Sequence, residues 1–308
     1  MKHALQHKKE AYWFYRFLSV FYDNYVNPFF WTEQMRNQAL RLAKLDHPDL
    51  TVLDVDAGTG FTTLGIVQQV NPQNVTLIDQ SPHQLAKARQ KANLRKCTFL
   101  EGDAEMLPFP DHMFDRYISA GSIEYWPDPQ TAIREAFRVL KPGGIALVIG
   151  PLRPENRLAR WLADTWMLFP AEEDYWQWFQ HAEFENIRRK YVRPHWMTEE
   201  KYGIAISGIK PGKPSQPLRP TAPPPELTEQ VSFSRRAIFL FRLLVGMLSG
   251  FMFIPVALYG YTRGYLPGKM GKSPPKENTP LTRQQLTGIL ISLAFFLTMI
   301  IFLVVRYR

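Results

Sequence analysis

From residue 49 to about residue 150, short apolar runs alternate with amphipathic stretches. The runs Thr51–Val55, Val75–Asp79, Cys97–Glu101, Arg116–Ser119 and Ile145–Ile149 have the length of buried strands. Between them, Ser81–Ala92 and Pro129–Leu140 carry apolar residues at helical spacing. Alternation of this kind predicts an α/β fold with a parallel, doubly wound sheet. Ser81 is a predicted N-cap with Pro82 in the first helical position, and Lys141-Pro142-Gly143-Gly144 predicts a turn between the later helix and the last strand.

Flanking regions follow other patterns. Tyr12–Trp31 holds eleven aromatics in twenty residues, which reads either as a packed helical face or as an apolar lid, so residues 1–48 are expected to form an aromatic-rich helical cap. Residues 49–210 form the predicted ligand-binding domain. Seven of the fifteen residues Pro211–Pro225 are proline, predicting an extended linker over residues 211–235. In residues 236–308, Leu286–Val305 is a 20-residue stretch without charge, and Leu243–Tyr261 is a second uncharged stretch. Each is long enough for a membrane span, and together they predict a hairpin anchor.

Charge sharpens this picture. Residues 1–210 contain 25 Lys/Arg and 25 Asp/Glu, whereas residues 211–308 contain 12 and 3, so the formal +9 belongs to the tail. Cations beside apolar spans indicate a lipid membrane as partner, with no nucleic acid. The single cysteine, Cys97, excludes an internal disulfide, and no Cys/His cluster has metal-ligand spacing, so no metal is expected. The N-terminus lacks the apolar core of a secretory signal.

Candidate chemistry centres on Val52-Leu53-Asp54-Val55-Asp56-Ala57-Gly58-Thr59-Gly60-Phe61, a strand that enters a glycine turn and then a helix. Asp79 closes the second strand 19 residues after Gly60, where a carboxylate can accept both hydroxyl protons of a ribose. Gln80 follows it, and Asp103 and Ala104 follow the third strand, where they can meet an adenine edge. Asp54 and Asp56 would repel a pyrophosphate, whereas a sulfonium with an ammonium group would welcome Asp54, so S-adenosylmethionine fits better than a dinucleotide. The predicted cofactor residues are Asp54, Asp56, Gly58, Gly60, Asp79, Gln80, Asp103 and Ala104.

The set resembles class I methyltransferases through the acidic strand end and glycine turn, Asp79, Glu101-Gly102-Asp103-Ala104-Glu105-Met106-Leu107-Pro108-Phe109, and Arg138-Val139-Leu140-Lys141-Pro142-Gly143-Gly144. Five further segments narrow the resemblance: His7–Leu18, Gly60–Gly65, Asp79–Ala88, Ser119–Pro129 and Trp166–Pro170. They look like the plastid-type 2-methyl-6-phytyl-1,4-benzoquinol / 2-methyl-6-solanesyl-1,4-benzoquinol methyltransferase family.

The resemblance implies a Rossmann-like class I methyltransferase fold. It also implies ring C-methylation of a prenylated benzoquinol, in tocopherol and plastoquinone synthesis, from S-adenosylmethionine. The catalytic domain is then expected on the stromal or cytoplasmic side of a plastid inner envelope or cyanobacterial-type membrane. Glu124 is a candidate proton acceptor or a structural carboxylate, His195 a candidate of the same two kinds, and Tyr15, Tyr22, Tyr125, Trp126 and Trp166 are candidate substrate contacts. Two alternatives stay open: methylation of a menaquinone- or ubiquinone-type precursor, and a tethered binding protein whose donor pocket is impaired. The second arises because Asp56 and Ala57 stand where the family has a glycine turn, and the added carboxylate is expected to cost donor affinity. Oligomeric state is not specified by these patterns.

Overall fold

The structure, a computed structural model, describes residues 31–155, 160–161, 169–194 and 200–212. Most of the aromatic cap lies outside the described residues, as do Tyr15, Tyr22, Trp166, His195, all but the first two linker residues and both apolar tail stretches. Among the described residues, no helix is long and apolar enough to cross a membrane.

The apolar runs form strands β1 (Val52–Val55), β2 (Val75–Asp79), β3 (Thr98–Glu101), β4 (Phe114–Ala120) and β5 (Leu140–Pro151), all parallel. Two further strands, β6 (Glu185–Val192) and β7 (Gly203–Ile209), complete a seven-stranded sheet in the order β3-β2-β1-β4-β5-β7-β6. Strand β7 runs antiparallel to both of its neighbours, so the sheet is mixed rather than wholly parallel. Ten residues separate β6 from β7, a length that suits an antiparallel pair, whereas a parallel neighbour needs a longer crossover.

Among the described residues the α-helices are α1 (Glu33–Leu40), α2 (Phe61–Ile66), α3 (Pro82–Gln90), α4 (Pro129–Val139) and α5 (Glu172–His181). Ser81 caps α3 by accepting from the Gln84 N–H, and Asp128 caps α4 by accepting from Thr131 N–H. The expected turn at Lys141–Gly144 is instead an outward excursion of β5. Leu140 already pairs with Phe114, and pairing resumes at Ile145 opposite Arg116. Gly143, at φ 80°, makes the excursion, and its N–H donates to Lys210 O.

Alternate strand residues point to opposite faces, and each face has its own core. On one, Leu53, Val55, Tyr117, Ala146 and Val148 pack with Ile133, Phe137, Tyr175 and Phe179 of α4 and α5. On the other, Val52, Leu77, Ile118 and Leu147 pack with Met35, Leu40, Ile66 and Leu85 of α1, α2 and α3. Helix α1 also fixes the start of α2. Buried Arg36 donates from Nη1 to Phe61 O at 3.1 Å and lies 4.8 Å from the Phe61 ring centre.

Candidate active site

Glycine and one aspartate shape the turn after β1. Gly58 (φ 57°) and Gly60 (φ 79°) both adopt left-handed backbone, and a Cβ on Gly60 would fall 2.5 Å from the Leu94 Cδ1. Asp56 is left-handed too, at φ 51°, a conformation that aspartate tolerates better than most residues. Gly60 therefore serves the packing of the turn, while Asp56, Gly58 and Thr59 line a solvent-open cleft.

The cleft lies at the carboxyl ends of β1, β2 and β4, where open α/β sheets bind ligands. Asp79, Gln80, Ser81 and Gln84 form one wall, and Gly121, Ser122, Tyr125 and Trp126 form the opposite one. Asp79 is anchored by two backbone bonds, from Gly58 N–H at 2.7 Å and from Ser81 N–H at 2.8 Å. Burial lifts its carboxyl above the ordinary range, against the pull of those two donors.

Other predicted residues sit elsewhere. Asp54 is buried beneath the turn, on the opposite side of β1 from Leu53 and Val55, and its Oδ2 accepts from the Thr63 hydroxyl at 2.5 Å. Burial pushes its carboxyl up to about 7, and its Oδ1 has no hydrogen-bond partner. Asp54, Gly60, Asp103 and Ala104 are not among the described lining residues. Asp103 accepts from the Glu105 N–H and stabilises its own loop.

Asp56 does not simply project toward a ligand. Its Oδ2 accepts from Trp126 Nε1 at 2.5 Å, linking the turn after β1 to the loop after β4. Glu124 belongs to the same loop but lies behind the wall, 6% exposed, with Oε2 unpartnered. Burial pushes the Glu124 carboxyl up to about 8, with the negative charge of Asp56 adding to the effect. Tyr175 is close enough to feel Glu124, and its hydroxyl donates to Pro151 O.

Residues 53–148 match the methyltransferase domain family. The chain is 52% identical over 260 residues to the chloroplastic 2-methyl-6-phytyl-1,4-hydroquinone methyltransferase of Arabidopsis thaliana, covering 83% of this chain and 76% of that protein. The chain belongs to this methyltransferase family. The enzyme of the same name from Spinacia oleracea is 50% identical, with 83% of this chain and 75% of that one covered. A Thermotoga maritima structure described as an S-adenosylmethionine-dependent methyltransferase, possibly a histamine N-methyltransferase, shows the same fold. Its TM-score is 0.51 at 22% identity, with 65% of this chain and 99% of that chain covered.

Like the family, this chain is an S-adenosylmethionine-dependent methyltransferase, and its cleft suits that donor. The lining presents the carboxylates of Asp56 and Asp79 and an unpartnered buried oxygen, Gln84 Oε1. An acceptor-rich lining matches a cation that offers hydroxyl and amino protons. Gln84 and Trp31, which also lines the cleft, were not assigned from the sequence. Gln84 lies three residues beyond the Ser81 cap, in the first turn of α3, and both residues line the cleft.

Proposed function

We propose that the chain transfers a methyl group to a ring carbon of 2-methyl-6-phytyl- or 2-methyl-6-solanesyl-1,4-benzoquinol. The observation that carries this reading is the extent of identity to the chloroplastic relatives. It spans 260 residues and therefore reaches well beyond the methyltransferase domain at 53–148.

S-adenosylmethionine, when bound, supplies an electrophilic methyl on a sulfonium. Asp79 accepts the ribose hydroxyl protons, Gly58 lets the backbone approach the donor, and Gln80 and Gln84 complete that wall. Tyr125 and Trp126 hold the flat ring, and Glu124, buried behind that wall with Oε2 unpartnered, takes the quinol hydroxyl proton when the loop after β4 turns it to the cleft, making the ring carbon nucleophilic. The electron pair of the ring carbon would form the new C–C bond while the C–S pair is left with the donor sulfur. The ring C–H proton then passes to solvent as aromaticity returns, and the oxygen recovers its proton from Glu124. Trp126 fixes Asp56 in the turn, which favours a built donor site over an impaired one.

The tail stretches at 243–261 and 286–305 are proposed to span a membrane as a hairpin, with the catalytic domain on the stromal or cytoplasmic side. Lys269–Arg283 should then be protected from protease added on the domain's side of sealed vesicles, and its digestion would refute the hairpin. To test the acceptor, the purified full chain is given labelled donor and separate prenylated benzoquinols and demethylmenaquinols. The proposal requires preferential labelling of the benzoquinols, and preference for demethylmenaquinol overturns it.

A further inference from the structure

The turn after β1 and the loop after β4 both line the cleft, and Asp56 lies at the seam where a hydrogen bond joins them. Its left-handed backbone is compatible with a bare glycine, so the side chain is not required by the turn. Instead its carboxylate reaches the opposite wall and is held by Trp126 Nε1 at 2.5 Å, with both residues lining the cleft. Trp126 is itself 4% exposed, which fixes the donor and therefore the position of the charge.

During the reaction the C–S pair remains on sulfur, so a singly charged sulfonium becomes a neutral thioether. Ammonium and carboxylate groups are present before and after the transfer. A fixed anion at the seam consequently distinguishes the two forms through the one charge that changes. We infer that Asp56 is a specificity-determining residue that makes the cleft prefer the cationic sulfonium donor to its neutral thioether product, limiting product inhibition. The inference deepens the methyl-transfer reading and does not depend on which quinol is the acceptor.

Calorimetry on the purified full chain, at low salt and without any quinol, tests this with S-adenosylmethionine and S-adenosylhomocysteine as the two probes. Asp56→Asn keeps an acceptor for Trp126 and tolerates the left-handed backbone, so it removes the charge alone. Asp56→Gly is a second charge-removing variant that relaxes the turn. In both, the donor-to-product affinity ratio should fall about tenfold while product affinity changes less than about threefold. Equal weakening of both probes, an unchanged ratio or tighter donor binding in the variants would overturn the inference. Because no acceptor is present, each of these results stands apart from success or failure of the benzoquinol assignment.

Discussion

The Asp79 carboxylate at the end of β2 holds the N–H of Gly58, 21 residues earlier in the chain, at 2.7 Å. One side chain thus shapes the glycine turn and presents its remaining acceptor capacity to the cleft. In Asp79→Asn, the amide cannot accept from Gly58 N–H and Ser81 N–H on both of its polar atoms. Donor affinity should fall about 10- to 100-fold, measured by calorimetry. Unchanged affinity would remove Asp79 from the donor site.

Glu124 should matter for turnover and little for donor binding. Glu124→Gln is expected to lower kcat on the order of 10²- to 10⁴-fold while donor affinity stays nearly constant. The pH-rate profile of the native chain should rise toward pH 8, the Glu124 value, with this limb lost in the variant. A variant that keeps both native kcat and the limb would assign the proton elsewhere.

The same carboxyl has a consequence for stability. Its pKa is raised on folding, from 4.5 to about 8. Below the unfolded value both states are protonated and burial carries no ionisation cost. As pH rises from there to about 8, the unfolded chain releases the proton first, so stability declines, levelling off above 8. The melting temperature of Glu124→Gln should therefore decline less than that of the native chain between pH 5 and 8, and parallel declines would contradict this.

Donor binding should be linked to protons. Asp54, with a carboxyl at about 7, is partly protonated near neutrality. A cation bound nearby favours its ionised form. Affinity for S-adenosylmethionine should therefore increase from pH 6 to 8, with protons released, as read from calorimetry in buffers of different ionisation enthalpy. Proton uptake on binding would contradict the assignment.

Lys210 supports the fold at a distance from the cleft. Its buried ammonium donates to Phe137 O at 2.6 Å and to Leu140 O at 2.7 Å, closing the carboxyl end of α4. Lys210→Met strands those carbonyls and should cost about 3 kcal/mol of stability, seen as an earlier denaturant midpoint, with donor affinity retained. An unshifted midpoint would contradict the capping role.

The local motifs were legible because their physics is local. Asp79 and Gly58 stood out as a strand end and a glycine turn, and Ser81-Pro82 as a helix start. Strand β6 escaped because Glu185-Asn186-Ile187-Arg188-Arg189-Lys190 is polar on an edge, with little of the apolar signature of a buried strand. The chain-order pattern also could not place Asp54, whose strand face turns it toward Thr63 rather than the cleft. Nor does spacing reveal the bond from Asp56 to Trp126, since 70 residues separate the two and only the sheet brings them together. That bond changes the meaning of Asp56 from an intruding carboxylate to part of the cleft wall.

Single-turnover transfer tests the central claim most directly. The full chain, purified in detergent and preloaded with methyl-labelled S-adenosylmethionine, is mixed with 2-methyl-6-phytyl-1,4-benzoquinol and quenched over time. The account predicts label on a ring carbon of the quinol, up to one methyl per bound donor, at a rate sharply reduced in Glu124→Gln. Donor that stays bound and unreacted beside the benzoquinol, in a chain that remains folded, would contradict it.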